Sequence, residues 1–551
     1  MTAVALGLDF GTESVRALLV DAMGMERGQG EAAYKHGQMT EQLASSGAGL
    51  PPGYALQDPR DWIDGAAIAI ACALAEAKID GEKVVGIGVD FTSCTMLPTR
   101  RDGEPLCNLE RFRRHPLAWP KLWKHHGALS QAARMNEIAS ARKEKFLARY
   151  GGIIGLEWFF PKLLETIEEA PEVADAAEVW IEAGDWFVWQ LIGGPAEQIP
   201  RSTCQAGYKG LWSPHEGYPS LDFFEAVHPQ LASAAATKLP GRFLSPGQRA
   251  GNLSPQMAKR FSLAAGTPVS AAIIDAHAAV PGVGVGEPGV LVMVLGTSSC
   301  HMLNATIDRF VPGVAGIVDG GILPGYFGYE TGQAAVGDAF AWLMRLVGHD
   351  SLERLTRDAM QLSPGAEGVF CVDWMNGCRT PLMDGSLRGA FAGLSLHHEA
   401  HHLYRALLEA SGFGLRWIVE LLAEHGVGVH RLVATGGLPH HNRGIVEIYA
   451  DVLGSPIEIH PSRYGPALGA AVLGMVAAGP EVSELPDLRR AAERMAGIPE
   501  DLREIVSPRE AHLKLYDDLY RRYRHLAQLV SQFQQGPSPF IHKQQIVSAE
   551  L

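Results

Sequence analysis

The chain has 551 residues, 47% of them hydrophobic and 20% charged, with a formal net charge of −14. That length exceeds what a single growing core sustains, so two or more domains are expected. The acidic balance argues against nucleic acid or an anionic membrane as the main partner, and any phosphate site must be built locally from turns, a few basic groups and a divalent cation. Seven cysteines, an odd number, include no C-x-x-C pair and read as reduced thiols. The N-terminus lacks a basic n-region and meets Asp9 early, so a cytoplasmic chain without a signal peptide is expected.

In chain order, VALGLDFGTESVRALLVD (Val4 to Asp21) is an apolar run, a Gly-Thr turn and an alternating return: a β-hairpin whose tip offers backbone N–H groups and hydroxyls. A polar stretch (Glu41 to Pro59) leads to a helix at Asp61 to Lys78, then to a strand in KVVGIGVDFTSCTMLP (Lys83 to Pro98). A Trp- and His-rich loop (Leu117 to Ala128) precedes a helical region reaching about Glu169. Val179 to Gly194 and Arg201 to Trp212 read as strand or helix ends joined by turns, and the Pro/Gly-rich passage Leu239 to Pro268 as a linker.

VSAAIIDAHAAV (Val269 to Val280) is a strand running into a helix start. GVLVMVLGTSSCHMLN (Gly289 to Asn304) repeats the first hairpin: with Gly11 set over Gly296, 285 residues on, Thr12 falls on Thr297 and Ser14 on Ser299. Two matched tips imply a duplicated fold holding one polyphosphate, because such turns make nests for phosphate oxygens. Helices are expected at Gly332 to Val347 and Ser395 to His425, a strand at Arg431 to Gly437 and a helix to Leu453. PALGAAVLGMVAAG (Pro466 to Gly479) is too short to span a bilayer and suits a small-residue helix packed tightly on a sheet. Ser507 to Gln534 reads as a closing amphipathic helix. Strands alternating with helices make this an α/β protein.

DFGTESVRA, VDFTSCTMLP, KLWKHHGA, DWFVWQL, AGYKGLW, IIDAHAA, VLGTSSCHM, GGLPHHN and IYADVLGSPIEI occur in one order from Gly7 to about Tyr523, and together they resemble the FGGY carbohydrate kinases. The resemblance implies an actin/hexokinase-like fold: two ribonuclease H-like domains, with ATP and sugar meeting in a cleft between them. With a linker near residue 265, residues 1–265 would carry sugar binding and the first hairpin. Residues 266–534 would carry nucleotide binding and the catalytic Asp, and 535–551 would be a mobile tail. The implied activity is phosphorylation of a small ketopentose, L-ribulose at O5, by ATP with Mg²⁺. Two other readings stay open: a sibling kinase for D-ribulose, xylulose or ribitol, and a non-enzymatic actin-fold nucleotide switch. A homodimer is an open expectation.

Phosphoryl transfer asks a protein mainly to position groups and neutralise charge. Asp9, at a strand end beside the first turn, suits a Mg²⁺ ligand acting through water. Thr12 and Thr297 can donate hydroxyls to the phosphates, Gly11 and Gly296 can supply close backbone, and Arg16 can act as a charge-assisted donor. Each alone reads as a plain hairpin tip; the matched pair favours phosphate. Asp275 ends an apolar strand beside small residues, and by resemblance it takes the proton from O5 as general base; capping of the next helix is the alternative. His277 reads as structural. For the sugar, the resemblance points to Ser93, Trp123, Lys209, Asp275 and Glu330. For the adenosine it points to Gly436, Gly437 and Asn442, near His440-His441 where family members often carry Gln-Lys.

Two motifs are set aside. GVGEPG (Gly284 to Gly289) matches G-x-G-x-x-G, but a strand follows it where a dinucleotide site needs a helix. HEAHH (His398 to His402) matches the H-E-x-x-H zinc signature, yet both histidines are expected on the flank or outside of their helix, away from its apolar stripe.

Overall fold

The computed structural model describes residues 3–534; the tail expected from residue 535 lies outside them. Strands and helices alternate, as expected of an α/β chain. One sheet contains β1 (Val4–Phe10), β2 (Ser14–Asp21), β3 (Glu26–Ala33), β4 (Val84–Phe91), β5 (Arg249–Asn252), β6 (Pro268–Ser270) and β7 (Ile273–Ile274). Its order is β3-β2-β1-β4-β6-β5, with β7 also on β4. β1 and β2 form the first expected hairpin, while β1, β6 and β7 each run parallel to β4. Every residue of β1 is buried, the mark of a strand covered on both faces.

A second sheet contains β8 (Val290–Leu295), β9 (Ser299–Ala305), β10 (Gly316–Asp319), β11 (Phe327–Gln333), β12 (Arg431–Thr435), β13 (Ile457–Ile459) and β14 (Glu504–Val506), ordered β10-β11-β9-β8-β12-β13-β14. The helices include α1 (Pro59–Ala77), α2 (Phe159–Glu169), α3 (Thr203–Lys209), α4 (Asp275–Gly282), α5 (Gly337–Leu346), α6 (Ala400–Glu424), α7 (Arg443–Leu453), α8 (Gly465–Ala478) and α9 (Glu510–Gln534). Among the described residues no single helix is long and apolar enough to cross a membrane.

The described residues form two compact units: 3–292 with Met302–Glu330 and Ser462–Leu502, and Met293–His301 with Thr331–Pro461 and 503–534. The first runs past residue 265 because β6 and β7 pair with β4. The passage from Leu239 to Pro268, expected as a linker, is folded instead. β5 pairs antiparallel with β6, and the helix Pro255–Phe261 between them buries Met257 and Phe261. Its Pro and Gly residues mark turns within the sheet connection.

The small-residue helix is α8, and its backbone sits directly on the first sheet. A Cβ placed on Gly7 would lie 2.0 Å from the Ala467 carbonyl oxygen, on Gly86 2.0 Å from that of Gly474, and on Gly88 1.7 Å from that of Ala470. The same closeness joins α8 to α4, where a Cβ on Gly282 would meet the Gly465 oxygen at 1.9 Å. No rotamer relieves a clash with backbone. Gly88→Ala should therefore cost about 3 kcal/mol or more and lower the thermal midpoint of this large unit by roughly 4 °C or more. Calorimetry checks this, and an unchanged midpoint would mean that the helix is not seated so closely.

Candidate active site

Strand register places the acidic groups. Asp9 of β1 pairs with Asp90 of β4, Ile273 of β7 also pairs with Asp90, and Asp275 follows β7 as the first residue of α4. Three carboxyls thus share the C-terminal edge of adjacent parallel strands, the edge at which α/β sheets bind ligands. Across the hairpin Asp9 faces Arg16, whose Nη1 lies 3.3 Å from Asp9 Oδ2 and whose Nε lies 3.3 Å from Glu31 Oε1. Arg16 is therefore held between two carboxylates beside the first tip.

Neighbouring strands stand about 4.8 Å apart, and two full charges at that distance repel by roughly 3 kcal/mol at an effective dielectric near 20. Burial first, then Asp9 and Asp275, push the Asp90 carboxyl well above the usual carboxylate range. Asp275 is raised to about 7, chiefly by burial; the Ala276 N–H, donating at 2.7 Å, opposes this, while Asp9 and Glu330 add to it. A carboxylate tuned to neutral pH at a strand end suits proton abstraction. Asp275 is the first residue of α4, and its carboxyl oxygen takes up the Ala276 N–H, so it also serves the start of that helix as the capping alternative allowed.

At the first tip, Gly11 N–H donates to the Ser14 carbonyl at 3.0 Å. The Thr12 carbonyl accepts from Gln57 Nε2 at 2.6 Å, and the Thr12 hydroxyl accepts from the Trp123 indole at 3.1 Å. Trp123 is thereby fixed to the tip by its polar edge. Lys209, ending α3, donates to Glu330 Oε1 at 2.7 Å and lies 5.3 Å from the Trp158 ring centroid. The His277 ring lies against that of Tyr208, centroids 4.1 Å apart and tilted by 50°, with Nε2 3.5 Å from Glu330 Oε2; burial lowers it to about 4, so the ring is neutral. Ser93, partly exposed, sits in the turn after β4. The first unit thus gathers Asp9, Thr12, Trp123, Lys209, Asp275 and Glu330 within one framework.

In the second unit, Gly296 N–H donates to the Ser298 carbonyl at 3.0 Å, and Ser299 begins β9 as Ser14 begins β2. The Gly296 and Thr297 carbonyls accept from Gly337, Val336 and Asp338 N–H groups at the start of α5, at 3.0 to 3.1 Å. Gly436 has φ 94°, and a Cβ there would lie 2.6 Å from the Leu295 oxygen, so glycine is required for packing as well. Gly437 is exposed. The buried Asn442 amide donates to the Tyr404 hydroxyl at 3.1 Å and to that of Thr356 at 3.2 Å.

HEAHH forms a capping box at the start of α6. The Glu399 side chain accepts from the His402 backbone, and His402 Nδ1 accepts from Glu399 N–H at 3.0 Å. In the neutral ring the proton then sits on Nε2, leaving no lone pair there for a metal. Of the two histidines expected on the flank or outside, His398 is partly exposed just before α6, whereas His402 is buried, because the box turns it inward. In GVGEPG, α4 precedes the glycines and β8 follows them, and Gly284 (φ 73°) serves a turn.

Asp90, Gln57, Trp158 and Lys162 escaped the sequence reading. For Asp90 a signal existed: V-D-F at the end of β4 repeats L-D-F at the end of β1, and the repeat becomes adjacency in a parallel sheet.

The α/β frame thus carries acidic strand ends, a buried Lys–Glu pair and two Gly-Thr hairpin tips. The chain matches the FGGY family of carbohydrate kinases, its N-terminal domain over residues 4–282 and its C-terminal domain over 291–478, and it belongs to that family. It is thus a carbohydrate kinase, which implies ATP as donor. It is 43% identical over 533 residues to the ribulokinase of Geobacillus thermodenitrificans, covering 95% of this chain and 93% of the relative. To the ribulokinase of Mycolicibacterium smegmatis it is 41% identical over 537 residues, covering 93% of each. The crystal structure of xylulose kinase from Rhodospirillum rubrum superposes with a TM-score of 0.77 at 23% identity, covering 96% of this chain and 99% of that one, in agreement with the actin/hexokinase-like fold.

Proposed function

We propose that this kinase transfers the γ-phosphoryl group of ATP to O5 of L-ribulose, giving ADP and L-ribulose 5-phosphate. The observation that carries the reading is the placement of Asp275, with a pKa near neutrality, at the strand edge beside Asp9 and near the Lys209–Glu330 pair. Relatives bearing the name ribulokinase over nearly the whole chain support the sugar. In this reading Ser93, Trp123, Lys209 and Glu330 hold the polyol, with Lys209 as donor and Glu330 as acceptor. Asp275 takes the O5 proton while the O5–phosphorus bond forms and the bond from phosphorus to the β,γ-bridging oxygen breaks. Gly11, Thr12 and Arg16 serve the transferred phosphoryl group. In the second unit, Gly296 and Thr297 serve the nucleotide phosphates, and Gly436, Gly437 and Asn442 the adenosine.

The donor set of the first unit fits Mg²⁺. Its hard carboxyl oxygens at Asp9 and Asp90 lie in register, and a bound cation would favour the ionised form of Asp90 that burial and its acidic neighbours disfavour, with Arg16 shared between Asp9 and Glu31. Asp9 would hold the hydrated ion, which would neutralise phosphate charge when bound.

Asp275→Asn should keep nucleotide affinity and lose about 10²–10⁴-fold in turnover; calorimetry with ATP and a coupled ADP assay separate the two effects, and near-normal turnover would remove the base from Asp275. The pH profile has a defined sign. A base accepts a proton only when ionised, and Asp275, raised to about 7, is protonated below that value. kcat/KM for the sugar should fall about tenfold per unit below about pH 7, and a flat profile down to about pH 5.5 would contradict the assignment. The sugar itself is tested with Mg-ATP against L-ribulose, D-ribulose, L- and D-xylulose, ribitol and glycerol. L-ribulose should show the highest kcat/KM; another preference would retain the kinase and discard the sugar.

A further inference from the structure

The two segments proposed to face the sugar are far apart in sequence and meet over a single buried ammonium. Lys162 lies in α2 with no solvent exposure. Its Nζ donates to the Cys94 carbonyl and, at 3.0 Å, to the Leu122 carbonyl, with the Lys121 oxygen at 3.5 Å. Cys94 directly follows Ser93, and Leu122 directly precedes Trp123. An ammonium has three donors, and here all three point at backbone carbonyls of these two segments.

The Ser93 segment needs such a hold. Cys94 has φ 46°, the left-handed region that a non-glycine residue enters only when its surroundings enforce it. The Thr92 and Thr95 hydroxyls, 2.7 Å apart, close the turn from one side, and Lys162 fixes the carbonyl of the strained residue from the other. The Trp123 segment is laced to the same place: Lys121 N–H donates to Met96 O at 2.9 Å, and Met96 N–H donates back at 3.1 Å. Trp123 in turn reaches Thr12.

We propose that Lys162 is a positioning residue for the sugar pocket: its ammonium ties the Cys94 carbonyl to the Leu122 carbonyl and so fixes Ser93 and Trp123 relative to one another. This rests on the reading that Ser93 and Trp123 face the sugar. Burial lowers the affinity of Lys162 for its proton, yet the three carbonyl contacts describe an ammonium and not a neutral amine.

The test compares the unaltered enzyme with Lys162→Met, which keeps volume and removes the donors, on whichever sugar of the panel the unaltered enzyme prefers. A wrong sugar assignment therefore leaves this test intact. The expected result is a rise of at least tenfold in sugar KM, with ATP KM and kcat within about threefold. A role in packing alone would not split the two KM values. Cys94→Gly, which accepts a left-handed φ without strain, should recover at least threefold of the lost sugar affinity in the Lys162→Met background. Where Lys162→Met does not fold, Lys162→Gln, a shorter donor, should show the same split in weaker form. A sugar KM within twofold of the unaltered enzyme, a parallel rise in both KM values, no rescue by Cys94→Gly, or failure of both Lys162 variants to fold would each overturn the proposal.

Discussion

The convergence of Asp9, Asp90 and Asp275 in the first unit depends on how closely α8 lies against its neighbours. β1, β4 and α4 each meet that helix through glycine, at distances where a single methyl group would collide with a carbonyl oxygen. These three elements carry Asp9, Asp90 and Asp275. Backbone seating sets the height of an element more rigidly than side-chain packing, because no rotamer change relieves a clash with backbone. The three carboxyls converge because their carriers rest on one smooth support, and α8 is apolar all round because it is buried on every side.

That support was legible in the sequence, and parts of its cargo were not. A run of Gly, Ala, Val and Leu without a polar face can only be a helix inside a core, and the Gly-Thr cassettes announce their own turns; both signals are local. Asp90 carried a faint local signal, the V-D-F that repeats L-D-F, but its meaning came only from parallel register, a pairing between residues some eighty positions apart. Lys162 gave no signal, since a lysine in a helix ordinarily faces water, and its carbonyl partners lie at positions 94 and 122. The passage from Leu239 to Pro268 misled for the complementary reason: its composition resembles a linker, while the strand pairing that folds it is made with distant residues. What local chemistry encodes was read, and what sheet pairing creates was not.

Beneath the Ser93 and Trp123 segments, the unit accepts an unusual amount of buried charge. Lys121 donates to Glu165 at 2.7 Å, and His125 lies 2.9 Å from the same carboxyl. Burial alone would raise Glu165, yet Lys121 and His125 overcome it and hold the group at about 2. His125, by contrast, is lowered to about 4 by its own burial. Such a network is a poor source of net stability, because desolvation offsets most of the attraction. What it supplies is direction. Apolar packing would let the two segments slide by a few tenths of an ångström, whereas hydrogen bonds from Lys121 and Lys162 to named carbonyl and hydroxyl oxygens do not.

The two Gly-Thr tips share a sequence and a strand geometry, but they are supported in different ways. Around Thr297 the carbonyls are taken up by backbone N–H groups at the start of α5. Around Thr12 the supports are side chains: Gln57 on the carbonyl and Trp123 on the hydroxyl. Backbone support depends little on side-chain identity, so the second tip can keep its shape while its surroundings change. Side-chain support couples the first tip to whatever positions Trp123. In the proposed reading that is the sugar pocket, so a sugar that shifts the indole also alters the hydroxyl presented to the phosphoryl group. In that reading, one copy of a duplicated Gly-Thr turn gains a direct link to the polyol-facing indole, through the Trp123 hydrogen bond to Thr12.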